Sequence, residues 1–233
     1  MSSHRRYAEL DAQDTRMGLL RLRRRWEPVL QVDVHEVRLG EEFLMSSLFT
    51  VAEEELARLG LGQAHGDDLD VLVGGLGLGC TAAAALDDGR VRRLRVVDAL
   101  GAVIDWHQRG LLPLSARLTG DPRCELVEDD VFAMVRDGRL GPVHVLLLDV
   151  DHSPHHVLDP GHAPLYTVDG LRQLAGQLHP GGVFALWSDD PPDTELLASM
   201  RTVFAGARAE VVRFPNPFTR DTSTNTVYLA HTA

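Results

Sequence analysis

The feature that most constrains this chain is a series of strand-like segments from residue 69 onward, the first and fourth of them apolar, each ending in glycine or an acid. Asp70-Val71-Leu72-Val73 runs into Gly74-Gly75-Leu76-Gly77-Leu78-Gly79. Residues 91–97 run into Asp98, and residues 124–127 lead to Asp129-Asp130-Val131. Val145-Leu146-Leu147-Leu148 runs into Asp149-Val150-Asp151. Helical stretches are expected at 82–86, 102–108, 170–178 and 195–204, with His179-Pro180-Gly181-Gly182 stopping the third. A fifth strand is expected at 183–187, and 209–214 with 226–230 closes the sheet as an antiparallel pair. Alternating β and α segments make a mainly parallel sheet wrapped by helices. The fold class expected is therefore α/β, with a seven-stranded, mostly parallel, Rossmann-like sheet.

Residues 1–50 read differently. Leu20-Arg21-Leu22-Arg23 and Val32-Asp33-Val34-His35 alternate with period two around Glu27-Pro28, which predicts a small N-terminal β-hairpin region. Residues 51–233 then form the Rossmann-like unit. The basic run from Arg21 to Arg25 reads as the wet face of that hairpin.

Charge and composition narrow the function. A net charge of −11 disfavours nucleic acid and anionic membranes as partners. All 23 basic residues are arginine, which excludes a lysine Schiff base or a P-loop lysine. No stretch approaches the roughly 18–20 apolar residues that span a bilayer. The polar start MSSHRRYAELDAQDTR has no apolar run after it, so a cytoplasmic protein is expected. Cys80 and Cys124 form no CxxC and read as reduced thiols.

In open α/β sheets ligands bind beyond the carboxyl ends of the strands, near the switch in strand order. Glycines there let the chain turn and let a ligand approach the backbone. Gly75, Gly77 and Gly79 space as GxGxG, because Cys80 stands where a dinucleotide fingerprint needs its third glycine. That spacing suits a nucleoside without a pyrophosphate. Asp98 is placed to accept from ribose hydroxyls, and Asp130 to accept from the exocyclic amine of adenine. Asp149 ends the most apolar strand, aimed at the same crevice.

These residues resemble the spermidine synthase-like (polyamine aminopropyltransferase-like) family within the class I S-adenosylmethionine-dependent methyltransferase superfamily. Glu41-Glu42-Phe43 resembles the family's acidic-acidic-Phe element, and Leu165-Tyr166-Thr167 its Leu-Phe-Thr. Leu178-His179-Pro180-Gly181-Gly182 resembles its Leu-Lys-Pro-Gly-Gly, and residues 145–149 the strand bearing its catalytic aspartate. The resemblance implies a donor, S-adenosylmethionine or its decarboxylated form, held by Gly75, Gly77, Gly79, Asp98, Asp130, Val131 and Asp149. It implies an acceptor site touching Met45, Ser46 and Tyr166, and a homodimer built through the N-terminal region. Two departures stand out. The family's glycine loop carries an aspartate for the aminopropyl ammonium where this chain has Gly77, and its Tyr-His-Glu is Met45-Ser46-Ser47 here.

The function expected is therefore alkyl transfer to a small-molecule acceptor, with methyl transfer from intact S-adenosylmethionine first. Aminopropyl transfer is the alternative, and a non-catalytic nucleoside-binding or dimerisation module the alternative of another class. Asp149 is the expected general base, with Asp151 and His152 beside it. The cluster Asp151-His152-Ser153-Pro154-His155-His156, with His162 beyond, leaves three readings open: exposed loop histidines, proton handling, or a metal. Its spacing matches no metal motif, so none is expected. Cys80, just past the glycines, reads as a small packing residue.

Overall fold

The computed structural model describes residues 7–150, 152–219 and 221–233. Its N-terminal part exceeds the expected hairpin. Four antiparallel strands lie in sequence order: β1 (Tyr7–Thr15), β2 (Gly18–Glu27), β3 (Val32–Leu39) and β4 (Glu42–Ser46). The expected hairpin is β2–β3, with Arg25 opposite Val34 and Arg21 opposite Arg38. Alternation works here as it should. Leu20 and Leu22 are fully buried, while Arg25 on the wetter face pairs with Glu27 at 2.7 Å and Glu36 at 2.6 Å.

The sheet packs directly on the Rossmann-like unit. Leu20, Leu22 and Val37 share one buried cluster with Leu56 and Leu61 of α1 (Val51–Leu61). Asp11 of β1 accepts from the buried Trp106 Nε1 at 2.7 Å and from Arg109 at 2.9 Å. Those contacts anchor the outer strand to α3 (Gly101–Gln108).

The remaining strands are β5 (Leu69–Gly74), β6 (Val91–Asp98), β7 (Cys124–Glu128), β8 (Val143–Leu148), β9 (Leu178–Ser188), β10 (Gly206–Asn216) and β11 (Asp221–His231). They form the expected seven-stranded sheet in the order β10-β11-β9-β8-β5-β6-β7, with β11 antiparallel to both neighbours and the rest parallel. The central strands β5 and β8 are apolar because helices cover both their faces. Those helices are α1, α2 (Cys80–Leu86), α3 and α4 (Ser115–Gly120), then α5 (Val131–Arg136), α6 (Val168–Ala175) and α7 (Thr194–Val203). A 3₁₀ turn, Pro160–Tyr166, precedes α6.

Strand order reverses between β5 and β8, which opens a crevice at their carboxyl ends. Helix α1 roofs this side of the sheet closely. A Cβ on its Gly60 would stand 2.5 Å from Leu147 Cδ2 of β8.

One boundary differs from expectation. Helix α6 ends at Ala175, and Leu178 already pairs with Val143 as part of β9. Gln177 explains the early exit. Its side chain accepts from Leu140 N at 2.9 Å and donates to Val135 O at 2.7 Å, drawing the chain toward the sheet. His179-Pro180-Gly181-Gly182 therefore lies inside β9, where the register against β8 shifts, and does not cap a helix.

Candidate active site

The crevice encloses about 1190 Å³ and is lined by the glycine loop, the ends of β5–β9, β4, α1 and the segment after β8. That volume accommodates a nucleoside and a second substrate. Among its lining residues are Met45, Ser46, Gly75, Gly77, Gly79, Asp98, Asp130, Val131, Asp149 and His152. Most of the candidates read from the sequence thus meet in one place.

Gly75 is required by contact as well as by its φ of +96°. A Cβ there would fall 1.9 Å from the carbonyl oxygen of Asp149, so the loop crosses directly over the end of β8. Over Gly77 the neighbour is a side chain: Met45 Sδ lies 2.9 Å from the position a Cβ would take. Methionine sulfur thus fills the space that an acid at position 77 would need.

Asp98 is shared between loop and crevice. Its Oδ2 accepts from Leu76 N at 2.9 Å and its Oδ1 from Leu100 N at 2.8 Å. Burial raises its pKa, opposed by these backbone donors. Each oxygen retains a lone pair for a ligand hydroxyl. Asp130 is the N-cap of α5, its Oδ1 accepting from Phe132 N at 2.9 Å and Ala133 N at 3.2 Å. The other oxygen of Asp130 has no partner among the described residues. Adjacent Asp129 is taken up by Arg139 at 2.6 Å. The glycine loop, Asp98 and Asp130 could together hold an adenosine-type nucleoside.

Asp149 accepts from Thr81 Oγ1 at 2.6 Å, and the same hydroxyl lies 3.3 Å from the carbonyl oxygen of Glu53. Glu53, on the first turn of α1, lines the crevice beside Asp149. Burial and then the Asp149 charge push the Glu53 carboxyl up to about 8. Burial raises Asp149 to about 6, against the Thr81 hydrogen bond. The two acids titrate as a pair. Sequence reasoning misses Glu53 because Glu53-Glu54-Glu55 reads as a solvated helix start. Cys80 is close to the same acids, and burial first, then Glu53 and Asp149, push its thiol up to about 12. It is no thiolate at neutral pH, in keeping with a packing role.

The histidine segment closes one side of the crevice. Asp189 N donates to His152 O at 2.8 Å, and His155 Nε2 lies 2.8 Å from Asp193 Oδ2. His156 Nδ1 is 3.4 Å from Asp190 Oδ2, and His162 stacks on Phe132 with centroids 3.7 Å apart. No metal-ligating cluster occurs among the described residues. Asp151 lies outside the described residues. Tyr166 is the candidate the structure places apart. It is 9% exposed, packs in the core edge-on to Phe132, and is absent from the crevice lining. The adjacent Thr167 caps α6, its Oγ1 accepting from Gly170 N at 3.2 Å.

No protein-family model matches the chain. A curated relative, polyamine aminopropyltransferase 2 of Pseudomonas aeruginosa, is 35% identical over 150 residues, 61% of this chain and 41% of the relative. The match thus spans less than half of that protein's length. Spermidine synthase from Thermotoga maritima superposes with a TM-score of 0.73 at 19% identity, covering 97% of this chain and 73% of that one. A spermidine synthase in complex with the transition-state analogue AdoDATO gives 0.74 at 18% identity, covering 97% and 74%. At such identities the superpositions speak for the fold. The chain thus has sequence similarity to a polyamine aminopropyltransferase over 61% of its length and shares the fold of the spermidine synthases over 97%.

Proposed function

We propose that this protein transfers an aminopropyl group from decarboxylated S-adenosylmethionine to a small amine. This reverses the order expected from the glycine loop, which put methyl transfer first. The observation that carries it is the pair of acids, Glu53 and Asp149, at the crevice, where burial first, then Asp149 and more weakly Asp189 raise Glu53. The ionised Asp149 favours a cation, a bound cation favours the ionised form of Glu53 beside it, and an acceptor amine is a cation at neutral pH. The named activity of the Pseudomonas aeruginosa relative supports the same reading.

In this reading Gly75, Gly77 and Gly79 let the nucleoside approach the backbone, Asp98 takes the ribose hydroxyls and Asp130 the adenine amine. Asp149 presents its carboxylate to the acceptor nitrogen. Holding nitrogen, carbon and sulfur in line can supply roughly 7–11 kcal/mol of the barrier. Methyl transfer from the intact donor is a second reading, favoured by Met45 standing over Gly77. Without an acid there, the loop does not repel the intact donor's carboxylate.

The test is a calorimetric titration with each donor, followed by product analysis with putrescine and spermidine. The expected result is tighter binding of the decarboxylated donor and an aminopropylated product. Tighter binding of the intact donor with a methylated product reverses the assignment. Binding with no turnover of any acceptor leaves a nucleoside-binding module.

A homodimer is proposed as well. Val29 and Val32 are 67% and 43% exposed at the β2–β3 turn, beside Trp26 and Leu30, an apolar group that a partner subunit would cover. Light scattering should give twice the chain mass, and Val29→Glu should shift it toward the monomer. A wild-type chain that scatters as a monomer at micromolar concentration rules the dimer out.

A further inference from the structure

We propose that Glu53 receives the proton that the acceptor ammonium must lose, with Asp149 holding the nitrogen in place. This rests on the amine-transfer reading above. Glu53 is delivered by α1, an element separate from the strand ends that supply the other acids. It lines the crevice beside Asp149, and its carboxylate has no hydrogen-bond partner on any other described residue. Asp149, by contrast, is fixed by Thr81 Oγ1 at 2.6 Å. One acid is therefore held and the other is free to take up a proton. The Thr81 hydroxyl lies 3.3 Å from the Glu53 carbonyl, so the two acids are set on a common support.

The titratable groups facing Glu53 are Asp149 at the end of β8, Asp189 beyond β9, Glu54 on its own helix and Cys80 at the start of α2. These are acids and a thiol. Together with burial they make Glu53 the more basic of the pair, the property a proton acceptor needs. In the transfer an N–H bond of the ammonium breaks and its proton passes to the Glu53 carboxylate. The freed lone pair forms the N–C bond, the C–S bond breaks, and its electron pair returns to sulfur as a neutral thioether. The product secondary ammonium carries the positive charge the sulfonium has lost.

The experiment measures turnover against pH, with donor and putrescine or spermidine, for the wild type, Glu53→Gln and Glu53→Asp. Circular dichroism and donor titration verify that each variant is folded and binds. Wild-type kcat/KM is expected to rise with pH across the range where the pair ionises. Glu53→Gln should lower kcat roughly 100-fold or more, with donor affinity unchanged and that rise lost. Glu53→Asp should restore part of the rate and keep a displaced rise. Glu53→Gln with wild-type kcat and an unaltered profile overturns this assignment and leaves amine transfer standing. A wild type that turns over neither amine overturns the amine reading, and the role of Glu53 with it.

Discussion

Replacing Asp149 by asparagine is expected to lower saturated turnover roughly 10²–10⁴-fold while donor affinity changes little. The substitution keeps the size and removes the charge. The amide can still accept from Thr81 Oγ1, which stands 2.6 Å from the carboxylate, so the end of β8 should keep its shape. Two losses then combine. The acceptor ammonium loses an anionic partner, and Glu53 loses the neighbouring charge that helps to raise its pKa. Because both effects act through one pair, Asp149→Asn with Glu53→Gln should cost little more than the worse single change. Steady-state kinetics on the two singles and the double measure this. Strict additivity of the two would separate the acids into independent roles. Normal kcat in Asp149→Asn would return Asp149 to a strand-end residue and direct attention to His152.

Much of this arrangement is legible in the sequence for a simple reason. Parallel strands covered on both faces are largely apolar, so β5 and β8 stand out, and in an open sheet the carboxyl ends of the parallel strands converge. Asp98, Asp130 and Asp149 are brought to the crevice by that rule alone. Residues that arrive by tertiary approach carry no such signal. Glu53 sits in an acidic triplet that a solvated helix would also show. Met45 meets Gly77 only because β4 folds back over the loop. Strand β1 escapes a reading of the sequence because Tyr7–Thr15 buries no side chain fully and offers no apolar run. In Leu165-Tyr166-Thr167 the threonine caps α6 through Gly170 N, while the Tyr166 ring packs in the core, an orientation that three residues of sequence do not encode.

Asp98→Ala is expected to weaken donor binding by on the order of 10²-fold, more than Asp130→Ala. Each hydrogen bond from a ligand to a carboxylate is worth roughly 1.5–3 kcal/mol, and Asp98 is placed to accept two from a ribose. Its removal also frees Leu76 N and Leu100 N, now held at 2.9 and 2.8 Å, so the glycine loop loses its own anchor. Asp130 offers one free oxygen to an adenine amine, because the other caps α5 through Phe132 N and Ala133 N. Its loss should weaken the donor by one such bond and cost about 1 kcal/mol of stability through the missing cap. Calorimetry with the donor and with adenine alone distinguishes the two acids. Asp98→Ala should lose affinity for the nucleoside and keep the weak affinity for adenine, whereas Asp130→Ala should lose both. Wild-type donor affinity in both variants would mean that the nucleoside lies elsewhere in the crevice. Equal losses accompanied by equal falls in melting temperature would assign both acids to the scaffold.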